Sequence, residues 1–438
     1  MTEFKPYPEY KDSGIEWFDD VPATWRVVPL MSCVAESRRK NAGQLEKNLL
    51  SLSYGRILQK DIDSNEGLLP ESFDSYQIVQ PDDVVFRFTD LQNDKRSLRS
   101  ALVRERGIIT SAYLAVTPRS IDPSFFAYCM RDIDHRKIFY AMGGGLRQSM
   151  NFADIRRLPV LLPSFREQRS IASYLDRETA EIDAFIADQE ELIGLLAERR
   201  AATISHAVTK GLDPSVPMKD SGSAWFPVIP DGWVLIPIGL GSNLIQTGPF
   251  GSQLHAEEYV EDGVPVINPM HIVNGRISPA AAVSVTEGKS AELRRHALQA
   301  GDVIVARRGE LGRCAVATSE NVGYLCGTGS AIIRLNRARF VPEYFQLVFS
   351  SEQARHLLLQ YSIGSTMDNL NADVLAGLRV PCPPVAEQRA IVDHLEHETS
   401  ELDAAIADAR EAIALSKERR AALISAAVTG KIDVRGAV

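Results

Sequence analysis

The sequence predicts a mixed α/β protein in which two unlike globular modules alternate with two long helices. Its 438 residues are too many for one core and suit two domains of about 150 residues with connecting elements. Residues 167–213 recur as residues 387–433 at a constant offset of 220, and 27 of the 47 positions are identical. An internal repeat of this length fixes the order of the domains before any local pattern is considered.

A second, shorter repeat precedes each module. Lys11-Asp12-Ser13-Gly14, with Trp17-Phe18, Pro22 and Trp25, recurs as Lys219-Asp220-Ser221-Gly222, with Trp225-Phe226, Pro230 and Trp233. The two repeats together predict a first domain at 1–162 with its repeat segment at 7–28, a helical segment at 163–211, a second domain at 212–382 with its repeat segment at 215–234, a second helical segment at 383–431, and a tail at 432–438.

The duplicated 47-residue segments have the pattern of long amphipathic helices. Apolar residues recur at steps of three, four and seven from Ile171 to Ile204, and the second copy repeats this spacing. Ser164 and Glu167 can form a capping box, whereas proline opens the second helix, and glycine ends both. Helices of about 40–45 residues measure roughly 60–65 Å. Each needs a partner along its length, and we expect that partner to be its own copy.

The modules between these segments, X (29–162) and Y (235–386), differ from each other in sequence. Strand-like runs at 83–88 in X and 302–306 in Y stand among many turn-forming residues. Only their last stretches converge, where Met150-Asn151 aligns with Leu370-Asn371. We therefore expect two mixed α/β modules at equivalent places in the duplicated framework.

The charge is unevenly distributed along the chain. Of the net charge of −9, helical segments 167–211 and 387–431 contribute −4 and −3, whereas module X carries +3 and module Y −1. Arginine in the modules suits two-point contacts with guanine edges and phosphates, but ordinary surface salt bridges explain the composition equally well. The acidity therefore belongs to the helices and does not exclude nucleic acid as a partner of the modules.

Motifs of catalysis are missing from the sequence. We find no G-x-x-x-x-G-K-[ST] phosphate loop, no G-x-G-x-x-G after a strand, and no Asn/Asp-Pro-Pro-Tyr/Phe tetrad of amino-methyltransferases. Pro81-Asp82-Asp83 could begin a nuclease motif, but it lacks a Glu-x-Lys partner and is better read as a turn before a strand. The sequence therefore predicts no catalytic residue and no bound cofactor in this chain.

The cysteines and histidines do not suggest a metal site. Five cysteines form no C-x-x-C pair, which is typical of a reducing compartment. His394 and His397 lie three residues apart, but Tyr174 and Arg177 replace them in the first copy. The longest apolar runs fall short of a membrane helix, and the N-terminus lacks the pattern of a signal peptide. We expect a cytoplasmic protein without metal and without a membrane partner.

Polar, glycine-rich loops are the candidate contacts with a nucleic acid, although each alone could be a solvated turn. The candidates in module X are Arg87, Thr89, Asn93, Lys95, Arg96, Arg99, Arg147 and Gln148. The candidates in module Y are Thr247, Phe250, Ser252, Arg307, Arg308, Arg313, Thr366 and Asn369, with Arg307 to Arg313 expected as an exposed basic hairpin.

The order of these motifs, in duplicate, resembles the specificity subunits of type I restriction-modification systems. The resemblance rests on the Glu-Gln-Arg openings of both helical segments, the paired repeat segments, and loop motifs in each module. In Y these are Thr247-Gly248-Pro249-Phe250-Gly251-Ser252 and Gly301-Asp302-Val303-Ile304; in X they are Phe88-Thr89-Asp90-Leu91-Gln92-Asn93-Asp94 and Gly143-Gly144-Gly145-Leu146-Arg147-Gln148-Ser149. It covers nearly the whole chain.

The resemblance implies a division of labour between subunits. Each module would read one half of a split target in double-stranded DNA. The two helices would pair antiparallel in a coiled-coil-like, pseudo-twofold arrangement and dock two methyltransferase subunits, alongside restriction or translocase subunits. S-adenosylmethionine, ATP and Mg²⁺ would bind to those partners.

Two other functions remain open at this point. A self-contained DNA methyltransferase or nuclease with a built-in specificity region would need the cofactor motifs that we do not find. A repeat-built interaction scaffold without a role on DNA would have no reason for modules X and Y to diverge.

Overall fold

The computed structural model describes residues 5–62, 70, 72–89, 91, 98–142, 149–249, 253–362 and 370–436. The chain forms two compact units, of which unit 1 comprises Met1–Glu190 with Arg410–Val438 and unit 2 comprises Glu191–Ala409. Each unit therefore holds one module, its repeat segment and one part of each long helix.

The described residues of unit 1 form short strands and three short helices. Its strands are β1 (Tyr10–Asp12), β2 (Asp20–Pro22), β3 (Arg26–Pro29), β4 (Val34–Ser37), β5 (Leu49–Ser53), β6 (Arg56–Lys60), β7 (Gln77–Val79), β8 (Val84–Phe86), β9 (Ser100–Leu102), β10 (Gly107–Ile109), β11 (Leu114–Pro118) and β12 (Pro159–Leu162). Its short helices are α1 (Pro123–His135), α2 (Ile138–Met142) and α3 (Phe152–Ile155), and the long helix α4 (Phe165–Lys210) begins in this unit.

Unit 2 continues from α4 with a second set of elements. Its strands are β13 (Met218–Asp220), β14 (Val228–Pro230), β15 (Val234–Pro237), β16 (Ser242–Thr247), β17 (Val264–Ile267), β18 (Ile272–Val273), β19 (Arg276–Ile277), β20 (Ser284–Val285), β21 (Val303–Ala306), β22 (Cys314–Val316), β23 (Leu325–Cys326), β24 (Ser330–Leu335) and β25 (Arg379–Cys382). Its helices are α5 (Glu287–Glu292), α6 (Pro342–Ser350), α7 (Glu352–Ser362) and α8 (Ala372–Gly377), and the long helix α9 (Val385–Val428) begins here and ends in unit 1.

The two modules have corresponding sheets in spite of their unlike sequences. The main sheet has the strand order β4-β11-β8-β9 in unit 1 and β16-β24-β21-β22 in unit 2. Each unit also has a smaller sheet containing one parallel pair, β5 with β10 and β17 with β23. Every residue of the central strands β8 and β21 is buried. Unlike apolar residues that fill a similar volume can therefore build the same sheet.

A two-stranded ladder joins each repeat segment to the strand that precedes a long helix. β3 pairs antiparallel with β12, and β15 pairs in the same way with β25. Because β12 and β25 lead directly into α4 and α9, this ladder fixes the direction in which each long helix leaves its module.

The glutamine of each Glu-Gln-Arg motif attaches a long helix to the N-terminus of a short helix of its module, α1 in module X and α6 in module Y. Buried Gln168 accepts a hydrogen bond from the backbone N–H of Asp122, the N-cap of α1, at 2.7 Å. Buried Gln388 accepts one from the N–H of Val341, the N-cap of α6, at 2.8 Å. The repeated motif thus has a structural role, because it satisfies helix-end amides that burial would otherwise leave unpaired.

The tryptophan of each repeat segment lies close to the glycine that follows one long helix. In unit 1, Trp25 donates to Glu167 at the start of α4 at 3.1 Å, and a Cβ on Gly430, after α9, would lie 3.3 Å from its ring. In unit 2, Gly211 directly follows α4. A Cβ on this glycine would lie 3.4 Å from Trp233 and 3.3 Å from Glu387, which is at the start of α9. Within each unit the start of one long helix therefore lies beside the end of the other.

Two ion pairs link the long helices at positions that the internal repeat makes equivalent. Asp183 of α4 pairs with Arg420 of α9 within unit 1, and Asp403 of α9 pairs with Arg200 of α4 at 2.8 Å within unit 2. Asp183 and Asp403 occupy the same position of the 47-residue repeat, and so do Arg200 and Arg420, because the two copies are offset by 220 residues.

Side chains of both long helices complete the core of each unit. Ile171 and Ile424 belong to the main core of unit 1, and Ile204 and Ile391 to that of unit 2. Phe185, which the apolar stripe includes, is 44% exposed. In the described part of the chain, no helix combines the length and apolarity needed to cross a membrane.

Candidate nucleic-acid interface

Described residues that border the candidate loops of module Y lie together at one end of the main sheet of unit 2. The N–H of Leu370, which follows one loop, donates to the carbonyl of Arg307 at 3.0 Å, and the N–H of Arg307 donates to Gly329 at 2.9 Å. Gly248, after β16, donates to Ser330 at 3.0 Å. Backbone hydrogen bonds thus join segments that lie up to 82 residues apart in the chain, from Gly248 to Ser330.

The two neighbouring arginines after β21 have different environments. Arg307 is only 7% exposed, and its Nε donates to the carbonyl of Leu370. Arg308 is exposed. Arg313 is part-buried, and its Nε donates to Glu310 at 2.7 Å. The expected exposed basic hairpin is therefore wrong for Arg307, because burial and the bond to Leu370 make its side chain a support for the loop.

Gly248 has a packing role that the sequence did not indicate. A Cβ on this residue would lie 1.9 Å from the carbonyl oxygen of Gly327, so only glycine allows the two backbones to approach. The preceding Thr247 is part-buried, and its carbonyl oxygen lies 2.9 Å from Nδ1 of His296. Buried contacts thus hold the start of this loop before any partner is present.

The imidazole of His296 is held neutral by its surroundings. Its Nε2 accepts a hydrogen bond from Nε of Arg295 at 2.9 Å, so Nδ1 carries the proton and donates to Thr247. Burial, together with the charge of Arg295, lowers the pKa of His296. Protonation would place an N–H group against the guanidinium donor and break this contact.

In module X, described residues that border the candidate segments lie together at the corresponding strand end. The N–H of Met150 donates to the carbonyl of Phe88 at 3.3 Å, and the N–H of Arg87 donates to Arg99 at 2.8 Å. Arg87 and Thr89 are part-buried. The segments that border the loops at 90–98 and 143–149 therefore lie side by side.

Arg99 is not a surface residue. Its side chain is fully buried, donating through Nη1 to the carbonyl of Thr89 at 3.1 Å and through Nε to Tyr140 Oη at 3.2 Å. Its backbone N–H donates to the carboxylate of Asp134. The expectation that Arg99 faces a partner is wrong, because these bonds commit its buried side chain to Thr89 and Tyr140.

The other candidates lie outside the described residues. They are Asn93, Lys95, Arg96, Arg147 and Gln148 of module X, and Phe250, Ser252, Thr366 and Asn369 of module Y. Their roles stay predictions.

The two main sheets share a buried aspartate, which the sequence did not reveal as a common feature. It directly precedes β8 in unit 1 and β21 in unit 2. Asp83 accepts from the N–H of Gln80 at 2.8 Å and from Thr117 Oγ1 at 2.6 Å. Asp302 accepts from the N–H of Gln299 at 2.7 Å, and Arg334 donates two hydrogen bonds to it at 2.8 Å. The signal in the sequence was a shared Gln-x-x-Asp-Val spacing.

Each aspartate stabilises the turn that precedes its strand. Asp82 and Gly301, one residue earlier, both have positive φ angles, of 74° and 83°. The following carboxylate then closes the turn by accepting a backbone N–H. This agrees with the prediction of a turn at residues 81–83 and gives Asp83 a structural role. Within the described residues no group of three or more His, Cys, Asp or Glu side chains could hold a metal ion.

Comparisons with known proteins point to one family. Residues 246–409 match the family model described as the type I restriction modification DNA specificity domain. The chain is similar to the specificity subunit of the type I restriction enzyme StySPI from Salmonella potsdam, with 22% identity over 206 residues, 47% of this chain and 44% of the relative. It is also similar to the EcoBI specificity subunit from Escherichia coli, with 23% identity over 281 residues, 63% of this chain and 58% of the relative. Each alignment thus spans less than two thirds of the relative.

A solved structure shares the fold over most of the chain. It is a chain from work on complex assembly and conformational transition of the type I R-M system, with a TM-score of 0.67, 17% identity, and coverage of 93% of this chain and 98% of that one. At this identity the likeness establishes the fold alone. The domain match and the curated relatives agree with it: residues 246–409 match the type I restriction modification DNA specificity domain, and the chain is similar to type I restriction enzyme specificity subunits.

Proposed function

We propose that this chain is the non-catalytic DNA specificity subunit of a cytoplasmic type I restriction-modification complex, and that it recognises a split target in double-stranded DNA. The observation that carries the proposal is the correspondence between the modules. Residues that border the unlike candidate loops lie at the same strand end of corresponding sheets, where Leu370 donates to Arg307 in one module and Met150 donates to Phe88 in the other. A shared scaffold with different loops suits two different half-sites.

The long helices are proposed to pair antiparallel with pseudo-twofold symmetry and to dock two methyltransferase subunits. The equivalent ion pairs Asp183–Arg420 and Asp403–Arg200 support this pairing. Leu195 and Leu415 also occupy equivalent repeat positions and are 56% and 58% exposed. An exposed leucine at the same place in both copies suits two identical partners.

Catalysis is proposed to belong to the partner subunits. The sequence lacks the phosphate loop and the methyltransferase tetrad. S-adenosylmethionine, ATP and Mg²⁺ would then bind to methyltransferase and restriction or translocase subunits, and this chain would supply the choice of DNA site.

Exchange of one module tests the split-target proposal. Residues 29–162 are replaced by the first module of another family member, and the complex with its methyltransferase subunits is assayed by sequencing the methylated sites. We expect one half of the target to change and the other half to persist. Changes in both halves, or methylation only at the old site, would contradict independent reading by the modules.

Substitution of the equivalent leucines tests the docking proposal. Leu195→Asp and Leu415→Asp should each remove one methyltransferase subunit, because a buried aspartate opposes an apolar contact. Leu240→Asp, at a position that is 58% exposed outside the long helices, is the control. Native mass spectrometry counts the subunits, and full two-subunit occupancy in the double variant Leu195→Asp/Leu415→Asp would refute this docking face.

Two assays separate the alternative functions. Saturable binding of S-adenosylmethionine to the isolated chain would favour a self-contained methyltransferase. Failure of the assembled complex to shift any DNA, with partner subunits bound, would favour an interaction scaffold.

A further inference from the structure

A cleft of about 460 Å³ opens within unit 1. The β5–β6 hairpin forms one wall with Tyr54 and Arg56, and α1 forms another with Tyr128 and Arg131. Parts of α4 and α9 complete it. This volume is in the range of sites that hold ligands of nucleotide size.

Arginines outnumber carboxylates in the lining of this cleft. Its charged residues are Arg56, Arg104, Arg131 and Arg420 against Glu105, Asp176 and Asp183. Asp183 is shared by two of the arginines, Arg420 and, at 3.2 Å, Arg56. Asp176 accepts a hydrogen bond from the Tyr128 hydroxyl at 2.9 Å. Two of the three carboxylates that line the cleft, Asp176 and Asp183, are thus already engaged.

Two of the arginines have no carboxylate of their own among the described residues. Part-buried Arg131 donates through Nη2 to the carbonyl oxygens of Gly55, at 2.6 Å, and Ser100, at 3.3 Å. Arg104 is exposed at the rim and forms no ion pair within the described ranges. Burial lowers the pKa of Arg131, and the charge of nearby Asp134 offsets this only in part, so an anion in the cleft would stabilise the guanidinium.

We propose that this cleft binds a phosphate group, with Arg104 and Arg131 as its cationic ligands. Guanidinium groups suit phosphate because they donate two parallel, charge-assisted hydrogen bonds. The phosphate alone would fill a small part of the volume, and Tyr54, 71% exposed at the wall, offers an aromatic surface for an attached group. The phosphate belongs either to a free nucleotide-sized ester or to a DNA backbone.

The test uses the full chain and three probes. Isothermal titration calorimetry measures binding of inorganic phosphate and adenosine monophosphate, and a gel shift measures binding of a mixed-sequence DNA duplex. The variants are Arg104→Gln, Arg104→Lys, and Arg106→Gln as the control. Arg106 is exposed two residues away and pairs with Glu46 at 2.8 Å outside the cleft. Thermal unfolding confirms that each variant is folded.

The expected result is saturable binding of the free ester that weakens about tenfold or more in Arg104→Gln. Arg104→Lys should retain part of the affinity, and Arg106→Gln all of it. If the free probes do not bind but duplex binding weakens in Arg104→Gln and not in Arg106→Gln, the phosphate comes from DNA. Absence of binding by all probes, or equal binding by the wild type and Arg104→Gln, would overturn the proposal.

Discussion

Arg307 and Arg308 are adjacent in sequence but serve different purposes, so each is the matched control for the other. Arg308→Ala should weaken binding to the second half-site by about 1–3 kcal/mol, or about tenfold or more, and leave thermal stability unchanged. Arg307→Ala should lower the thermal midpoint, because it removes the buried bond to Leu370. Electrophoretic shifts and thermal unfolding of the assembled complex measure the two effects. The opposite assignment of effects would show that Arg307 contacts the DNA.

The cysteines should be largely unreactive in the folded chain. Cys129, Cys314 and Cys326 are buried, and burial raises the pKa of each of their thiols. The thiolate is the reactive form, so an aromatic disulfide reagent should label them only after unfolding. Cys382 is part-buried and should react first. Rapid labelling of several cysteines in the native protein would contradict the described burial.

At the scale of elements, the equivalent ion pairs should differ in strength. Arg420 and Asp183 are 21% and 37% exposed, against 38% and 54% for Arg200 and Asp403. Solvent screens the more exposed pair more strongly, and exposed pairs are typically worth about 0.2–1 kcal/mol. Double-mutant cycles with alanine, read by urea unfolding, should therefore give a larger coupling energy for Asp183–Arg420. Equal coupling, or a stronger Asp403–Arg200 pair, would show that exposure does not set their strength.

The long helices were the most predictable elements, because one periodic apolar pattern and its end signals lie within a continuous segment. The expected stops, Gly211 and Gly430, both have φ angles of 74°, and α4 ends at Lys210. The sheets were less predictable, since their pairing joins residues far apart. The run at 302–306 indicates a strand, and the structure has β21 at Val303–Ala306. The same run does not indicate that β21 lies between β24 and β22 in the sheet.

At the scale of the whole molecule, the sequence indicated the loops of the candidate interface better than the individual residues within them. Charge alone suggests exposure, and it does so equally for Arg99, Arg307 and Arg308. Only the folded backbone reveals that carbonyl groups surround the first two. The same limit applies to Gly248, where the requirement for glycine comes from Gly327, almost eighty residues away. Such contacts depend on the assembled sheet and leave no local pattern.

The stability of the chain should fall as the pH drops below about 6.5, the ordinary pKa of an unfolded histidine. Burial lowers the native pKa of His271 and His296, and lowers that of His135 to about 4. The unfolded chain therefore binds more protons, and each histidine costs up to about 1.4 kcal/mol per pH unit below 6.5 until its native pKa is reached. Asp134 acts in the opposite direction, because burial raises its native pKa to about 6 and acid relieves that cost. Because acid destabilises the native state through three histidines and stabilises it through one carboxyl, we expect these four groups together to lower the free energy of unfolding as the pH falls.

His296 provides the specific test, because its neutral ring connects Thr247 to Arg295. The thermal midpoint of the wild type should fall between pH 7.5 and pH 5.5. His296→Gln should be less stable at pH 7.5 but lose less on acidification, since glutamine does not titrate. Hydrogen exchange should show Gly248, which is bonded to Ser330, losing protection in acid in the wild type. An identical pH dependence in the variant would mean that His296 contributes no proton linkage and that the start of this loop is held by its backbone contacts alone.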